Sequence, residues 1–338
     1  MKHALFLILF TLVGCTAPVK NITFDKVEER RATVLQETFI SIPLEMDVKG
    51  NIVYISDFRG DSLLWCYNIT TQNFEGKMLP RGEGPREFLS PIQFILSDST
   101  IFVHNRWHFT AQNYSYDSID YILTPLGSLV HFPTDIDMAY LLSDNTYVAS
   151  GRFPDCRFVI LNRNGNVVSK CGNYPDYNQK EKDIPNFPKF MFHQSMFGFH
   201  KRKKCLTTVT SHVFELWDYK SDSLFLRKRI LLSPYGYQYN IGDESASVVA
   251  NDDVETGAKR IYTTENYIYV LYDPNTTKMY YDKEAHLNNE IWIFDWEGNP
   301  IEKMKINNKL SCFCVDEVKG KIYCIMNAPD PSIGVILI

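Results

Sequence analysis

Apolar positions along this chain come in short blocks, alternating or continuous, each introduced by a turn signal, and no long stretch carries the 3.6-residue period of a helix. One unit recurs without gaps. It reads Gly50-Asn51-Ile52-Val53-Tyr54-Ile55, Ser99-Thr100-Ile101-Phe102-Val103, Asn145-Thr146-Tyr147-Val148-Ala149, Lys204-Cys205-Leu206-Thr207, Tyr267-Ile268-Tyr269-Val270 and Gly320-Lys321-Ile322-Tyr323-Cys324. Taking Val53, Ile101, Tyr147, Cys205, Ile268 and Ile322 as equivalent, the steps are 48, 46, 58, 63 and 54 residues. Such steps suit one four-stranded propeller blade with its loops. The pattern therefore predicts an all-β, six-bladed β-propeller with four-stranded antiparallel blades.

The sixth copy runs out at Ile338 after what would be its third strand, so its blade needs a strand from elsewhere. Thr33 to Ile42, TVLQETFISI, is β-prone and precedes the first full blade, so it is expected to complete the last blade and close the ring. A β-sandwich or a two-domain chain predicts no sixfold unit without a break in composition. Residues 273 to 288 read as an insertion in the fifth copy. Short helical turns are expected only near Lys26 to Val34 and Ser245 to Glu255.

The amino end reads differently. Lys2 supplies a positive start, Ala4 to Val13 an apolar stretch, and Leu12-Val13-Gly14-Cys15 the spacing read by lipoprotein signal peptidase. Residues 1–14 are thus expected to be a lipoprotein signal peptide, Cys15 the lipid attachment site, 15–32 a tether and 33–338 a single propeller domain. The apolar run is too short to span a bilayer, whereas acylation of Cys15 would supply the hydrophobic chains that stable attachment needs. With no aspartate after Cys15 and no acidic run following it, the expected location is the outer membrane facing the periplasm, with surface exposure left open.

Composition adds limits. Apolar residues at 45% and charged residues at 22% are ordinary for a globular chain. A formal net charge of −5 gives no footprint for nucleic acid. The one basic run, Lys201-Arg202-Lys203-Lys204, lies between two strand-like segments and reads as a solvated turn. Apart from Cys15, seven cysteines remain, an odd number in an oxidising compartment. Cys156 and Cys171 flank the turn Asn162-Arg163-Asn164-Gly165 and should lie almost opposite one another, where buried packing is favoured over a strained cross-strand disulfide.

Arg81-Gly82-Glu83-Gly84-Pro85-Arg86-Glu87-Phe88 resembles the GxGPxEF signature of TolB-like six-bladed β-propeller lipoproteins, and Ile42-Pro43-Leu44-Glu45 looks like that family's opening strand. Arg86 stands where the signature has glycine. The resemblance runs from about residue 24 to the end and implies a fold and an anchor but no established reaction. Read from its residues, the octapeptide is a blade-to-blade crossover rather than a phosphate loop, because Phe88-Leu89-Ser90-Pro91 leads into a strand instead of a helix. If it binds a ligand, Arg81 and Glu83 are its contacts.

Candidate chemistry is sparse. The segments expected to line a central channel are Leu44 to Val48, Ile92 to Leu96, Met138 to Leu142, Ser195 to Phe199, Lys259 to Thr263 and Leu310 to Val315, and Glu45 and Asp47 stand nearly alone there as acids. A calcium cage wants more oxygens than that. The acids Asp243-Glu244 and Asp252-Asp253-x-Glu255 lack EF-hand spacing, and His104 and His108 lie at a strand end where a four-residue spacing gives no shared face. No GxSxG elbow is present. Tyr235, Tyr237 and Tyr239 follow Ser233-Pro234 and are expected on a loop, where tyrosine rings can stack on sugars or anchor a protein. Phe187 to Phe199 reads as core. The sequence therefore points to a lipid-anchored envelope propeller acting as a non-catalytic binding module for a glycan, peptide or envelope protein, with no cofactor and no nucleic acid. The alternative is a periplasmic metal-dependent hydrolase or lyase with its site in the channel.

Overall fold

The computed structural model describes residues 22–338 apart from Ser41, Pro85, Ser90, Asp98, 118–119, 144–145, 177–178, 243–245, 286–288 and 328–329; Cys15 and its flanking segment lie outside the described residues. Six antiparallel sheets follow one another along the chain. Blade one runs from Pro43–Lys49 to Asn73–Pro80, blade two from Ile92–Leu96 to Leu123–His131, and blade three from Ile136–Ser143 to Val167–Cys171. Blade four runs from Met196–His200 to Ser223–Leu231, blade five from Glu255–Thr263 to Pro300–Ile306, and blade six begins at Leu310–Asp316.

The six anchor residues all fall on the second strands, among them Ile52–Asp57, Thr100–Asn105 and Lys321–Met326. These strands are buried along almost their whole length. A propeller blade packs against a neighbour on each side, so its middle strands bury both faces and read as continuous apolar runs instead of alternating ones. Among the described residues, six core clusters sit one in each gap between blades, and a seventh, smaller one of Val213, Tyr235 and Val254 lies under the insertions. Between blades six and one, for example, Cys312, Cys314 and Tyr323 meet Met46, Val53 and Ile55.

The ring closes as strand counting requires. Thr33–Glu37 lies antiparallel to Ser332–Leu337, with Thr33 opposite Val335 and Glu37 opposite Ser332, and supplies the fourth strand of blade six. The folded part begins earlier than expected, however. Lys26–Arg30, expected to be tether and helical turn, is a strand running parallel to Pro300–Ile306 as a fifth strand on blade five. Backbone pairing on an open sheet edge outweighs the helical preference of KVEER. Lys26 also reaches Glu302 at 3.1 Å, and Phe24 packs edge-on to Trp292 with ring centroids 5.3 Å apart.

First-to-second and third-to-fourth strand turns fall on one face of the disc, and the blade crossovers and second-to-third connections fall on the other. All the long insertions share the crossover face. They are 172–195 with helices Gln179–Lys182 and Asn186–Phe192, 232–254 with the hairpin Tyr237–Ile241 and Ala246–Ala250, and the helix Thr277–Tyr281. That last helix lies in the insertion expected at 273–288 and is capped by Thr276, whose Oγ1 accepts from the Met279 amide at 3.2 Å. Around residue 250 the expected helical turn is instead the second strand of the hairpin. The basic run at 201–204 is a turn on the face opposite the crossovers, with Arg202 paired to Glu265 and Lys203 to Glu297.

The seven described cysteines are all buried and unbridged. Cys171 faces Phe158, two positions beyond Cys156. Burial pushes both thiols up to about 11, so neither is a reactive thiolate at neutral pH.

Candidate functional site

The innermost strands of the six blades enclose an axial cavity of about 580 Å³. Ser97, Lys201, Thr264 and Glu265 place its mouth on the face opposite the crossovers, and Glu45, Gln93, Met138, Arg260 and Cys312 lie deeper. The small side of Gly198 brings blades four and five together, since a Cβ there would meet Thr263 Cγ2 at 2.3 Å.

Two acids dominate the interior. Glu45 and Asp47 sit two residues apart on Pro43–Lys49, and the strand period turns both toward the channel. Glu45 Oε2 accepts from the Phe94 amide at 3.3 Å; Asp47 Oδ1 accepts from the Tyr262 hydroxyl at 2.6 Å and from the Val48 amide at 2.8 Å. Burial raises Glu45 to about 7, with the Phe94 amide and then the Arg260 and Arg106 charges acting in the opposite sense. Burial likewise raises Asp47 to about 6 against its hydrogen bond from Tyr262. On the facing strand of blade three, Tyr140 is driven above the usual tyrosine range by burial and then by the charges of Asp47 and Glu45. Arg260 donates from Nη1 to the Lys259 carbonyl at 2.7 Å, while its Nε has no partner.

Both acids hold protons more tightly in the fold than in the unfolded chain, where they titrate near 4. Their contribution to stability is therefore complete below about pH 4 and is lost as the pH rises through about 6 and 7. The Glu45→Gln/Asp47→Asn variant is expected to melt at a higher temperature than the parent at pH 8 and at nearly the same temperature at pH 4. Thermal melts followed by circular dichroism over that range check this, and an equal or lower midpoint at pH 8 would contradict it.

Glu45 and Asp47 are legible in the sequence as channel acids, whereas Gln93, Tyr140, Arg260 and Tyr262 carry no local motif that marks them as channel-facing. A register signal was present. Positions 45, 93 and 260 each lie eight residues before the anchors 53, 101 and 268, which sets Glu45, Gln93 and Arg260 at one level of the ring.

The other candidates are scattered. Tyr235 is 7% exposed, and its hydroxyl donates to Glu181 at 3.0 Å. The Tyr237 hydroxyl donates to the same carboxylate at 3.2 Å, and its ring stacks on Phe192 at 4.0 Å. Those two tyrosines therefore staple the hairpin to the helix Asn186–Phe192 instead of facing solvent; only Tyr239 stands out, at 43%. Arg81 and Glu83 are exposed in the crossover from blade one to two, three sectors from the tyrosines, so the structure does not bring the two groups together. Within that crossover the Glu87 carboxylate accepts from the Gly84 amide at 2.8 Å, and a Cβ on Gly82 would meet Glu87 Oε2 at 1.9 Å. Phe88 anchors the loop edge-on to Tyr114. The glycines, the glutamate and the phenylalanine thus have a structural reason, a crossover closed on its own side chain. His104 is buried with Nδ1 accepting from the Ala139 amide at 3.3 Å, and burial followed by the Arg106 charge lowers it to about 3. His108 contacts Asn105.

A closed ring of six four-stranded blades around an axial cavity defines a six-bladed β-propeller. Residues 23–318 match the family described as TolB-like 6-blade propeller-like, and the chain belongs to that family. Its fold is similar to a protein put forward as exported from Bacteroides fragilis NCTC 9343, at 11% identity and TM-score 0.56 over 93% of this chain and 98% of the other. It is also similar to a member of the DUF4221 family from Bacteroides vulgatus ATCC 8482, at 11% identity and TM-score 0.53 over 92% and 96%. Comparison with the curated proteins finds none that matches.

Proposed function

We propose that this propeller is a non-catalytic binding module of the cell envelope, lipid-anchored through Cys15 at the outer membrane facing the periplasm, whose axial cavity admits part of a peptide, glycan or envelope protein. The observation that carries the reading is the polar level formed by Glu45, Gln93 and Arg260 inside a cavity of about 580 Å³ that opens on one face. Ligand sites are typically concave and furnished with a few converging polar groups, and this cavity is concave with Glu45, Gln93 and Arg260 converging at one level, although its lining as a whole is about as polar as apolar. A metal-dependent hydrolase or lyase would need at least three converging acid, histidine or cysteine ligands, and the described residues contain no such group. The anchor rests on the Leu12-Val13-Gly14-Cys15 motif. No described helix is long and apolar enough to cross a membrane.

Capture from envelope extract tests the reading. A soluble form beginning at Thr16 is expected to retain a ligand that a Met138→Trp variant, with its channel filled, does not. Undiminished capture by the filled variant would move the site off the axis. If capture instead fell on replacing Tyr239, Arg81 or Glu83 with alanine, the crossover face would be the binding surface.

A further inference from the structure

We propose that the axial cavity selects a ligand carrying one organic cation, an ammonium or guanidinium on an extended apolar stem such as the lysine or arginine side chain of a peptide. This rests on the reading of the cavity as the binding site. Gln93 lines the cavity at 5% exposure, and its Oε1 has no hydrogen-bond partner. A buried acceptor left unpaired is costly, and a donor from a ligand would satisfy it. At the same level, Glu45 receives the long amide bond from Phe94, and one turn of the strand period away Asp47 offers a second carboxylate.

The charges favour a cation. Among the residues lining the cavity at that depth, Arg260 is the one cation and makes no ion pair among the described residues, so within the lining two carboxylates face one guanidinium, while Arg106 and Lys49 act on Glu45 and Asp47 from outside the lining. An incoming ammonium or guanidinium would complete the balance in a poorly solvated site, whereas a carboxylate on the ligand would add to the imbalance. Beside the acids the wall is partly apolar, with Phe197 at the level of Glu45 and Ile95 and Phe199 at the level of Asp47, which gives an alkyl stem apolar contact next to the charges. An organic cation also spreads its donors over Glu45, Asp47 and the amide oxygen of Gln93 without needing a regular coordination shell.

Three capped tripeptides, Ala-Lys-Ala, Ala-norleucine-Ala and Ala-Glu-Ala, titrated calorimetrically into the soluble form from Thr16, test the inference. The lysine peptide is expected to bind about tenfold or more tighter than the norleucine peptide, the scale of one charge-assisted hydrogen bond, and the glutamate peptide more weakly than either. Glu45→Gln/Asp47→Asn should remove the lysine preference while unfolding as cooperatively as the parent. Equal binding of lysine and norleucine peptides, or a lysine preference that survives the double variant, overturns the cation. If that equal binding is abolished by Met138→Trp, the axial site still stands. Failure of all three peptides to bind, or binding unaffected by Met138→Trp, overturns the inference and the axial reading together.

Discussion

A chain beginning at Thr38 is expected to lose about 5 kcal/mol or more of stability and to melt about 10 °C or more below the full chain, or to fail to fold. The truncation strips Thr33–Glu37 from blade six, leaving Ser332–Leu337 as an unpaired edge beside the gap between blades six and one. It also removes Lys26–Arg30 from blade five and the buried Phe24 and Ala32 from the clusters on either side of that blade. A ring has no other means of joining its ends, so the loss should spread beyond the deleted contacts. A chain beginning at Ile22 is the control and should melt with the parent, since the described contacts begin there. Equal midpoints for the chains starting at Ile22 and Thr38 would refute closure by the amino-terminal strand.

Arg157→Leu is expected to destabilise the protein by about 3 to 5 kcal/mol. Arg157 and Glu215 are both fully buried and meet at 2.5 Å, with Arg229 Nε at 2.6 Å and Thr208 Oγ1 at 3.0 Å completing the carboxylate's partners. Arg157 joins the start of the third strand of blade three to blade four, and it also donates to Ser195 at 3.1 Å. Leucine keeps much of the volume but leaves the buried carboxylate of Glu215 with Arg229, one-third exposed, as its remaining cation, which is the costly half of removing such a pair. Burial alone would raise Glu215, but Arg157 and then Arg229 outweigh it and hold the carboxyl below the usual glutamate range. Its contribution is therefore present above the ordinary glutamate pKa and lost as the pH falls through the depressed value. Urea unfolding at pH 7 and at pH 3 should show the Arg157→Leu penalty shrinking at the lower pH. A penalty under about 1 kcal/mol at pH 7 would mean that the pair adds nothing to the joint between the blades.

The fold was legible because blades impose a strong local signature. Val53, Ile101, Tyr147, Cys205, Ile268 and Ile322 align by residue type alone, since each opens a doubly buried strand behind a turn. Thr33 to Ile42 followed from counting strands, although only Thr33–Glu37 pairs. Lys26–Arg30 was hidden because its polar sequence says helix or tether, and its strand character comes from an edge almost 280 residues away in the chain. The hairpin at Tyr237–Ile241 was hidden for a related reason. Ser233-Pro234 marks a turn, but the partner that folds the tyrosines inward, Glu181, lies 54 positions from Tyr235. In the channel, local pattern exposed the acids Glu45 and Asp47, while Arg260 and Gln93 became visible only once the strands were set in register.

The most direct test of the axial site is a crystal structure of the soluble form from Thr16 carrying the ligand it retains from envelope extract. The account predicts ligand density inside the ring, within hydrogen-bond reach of Glu45, Gln93 and Arg260. Density confined to the crossover face, beside Tyr239 or the Arg81–Glu83 loop, with the axis unoccupied, would contradict it.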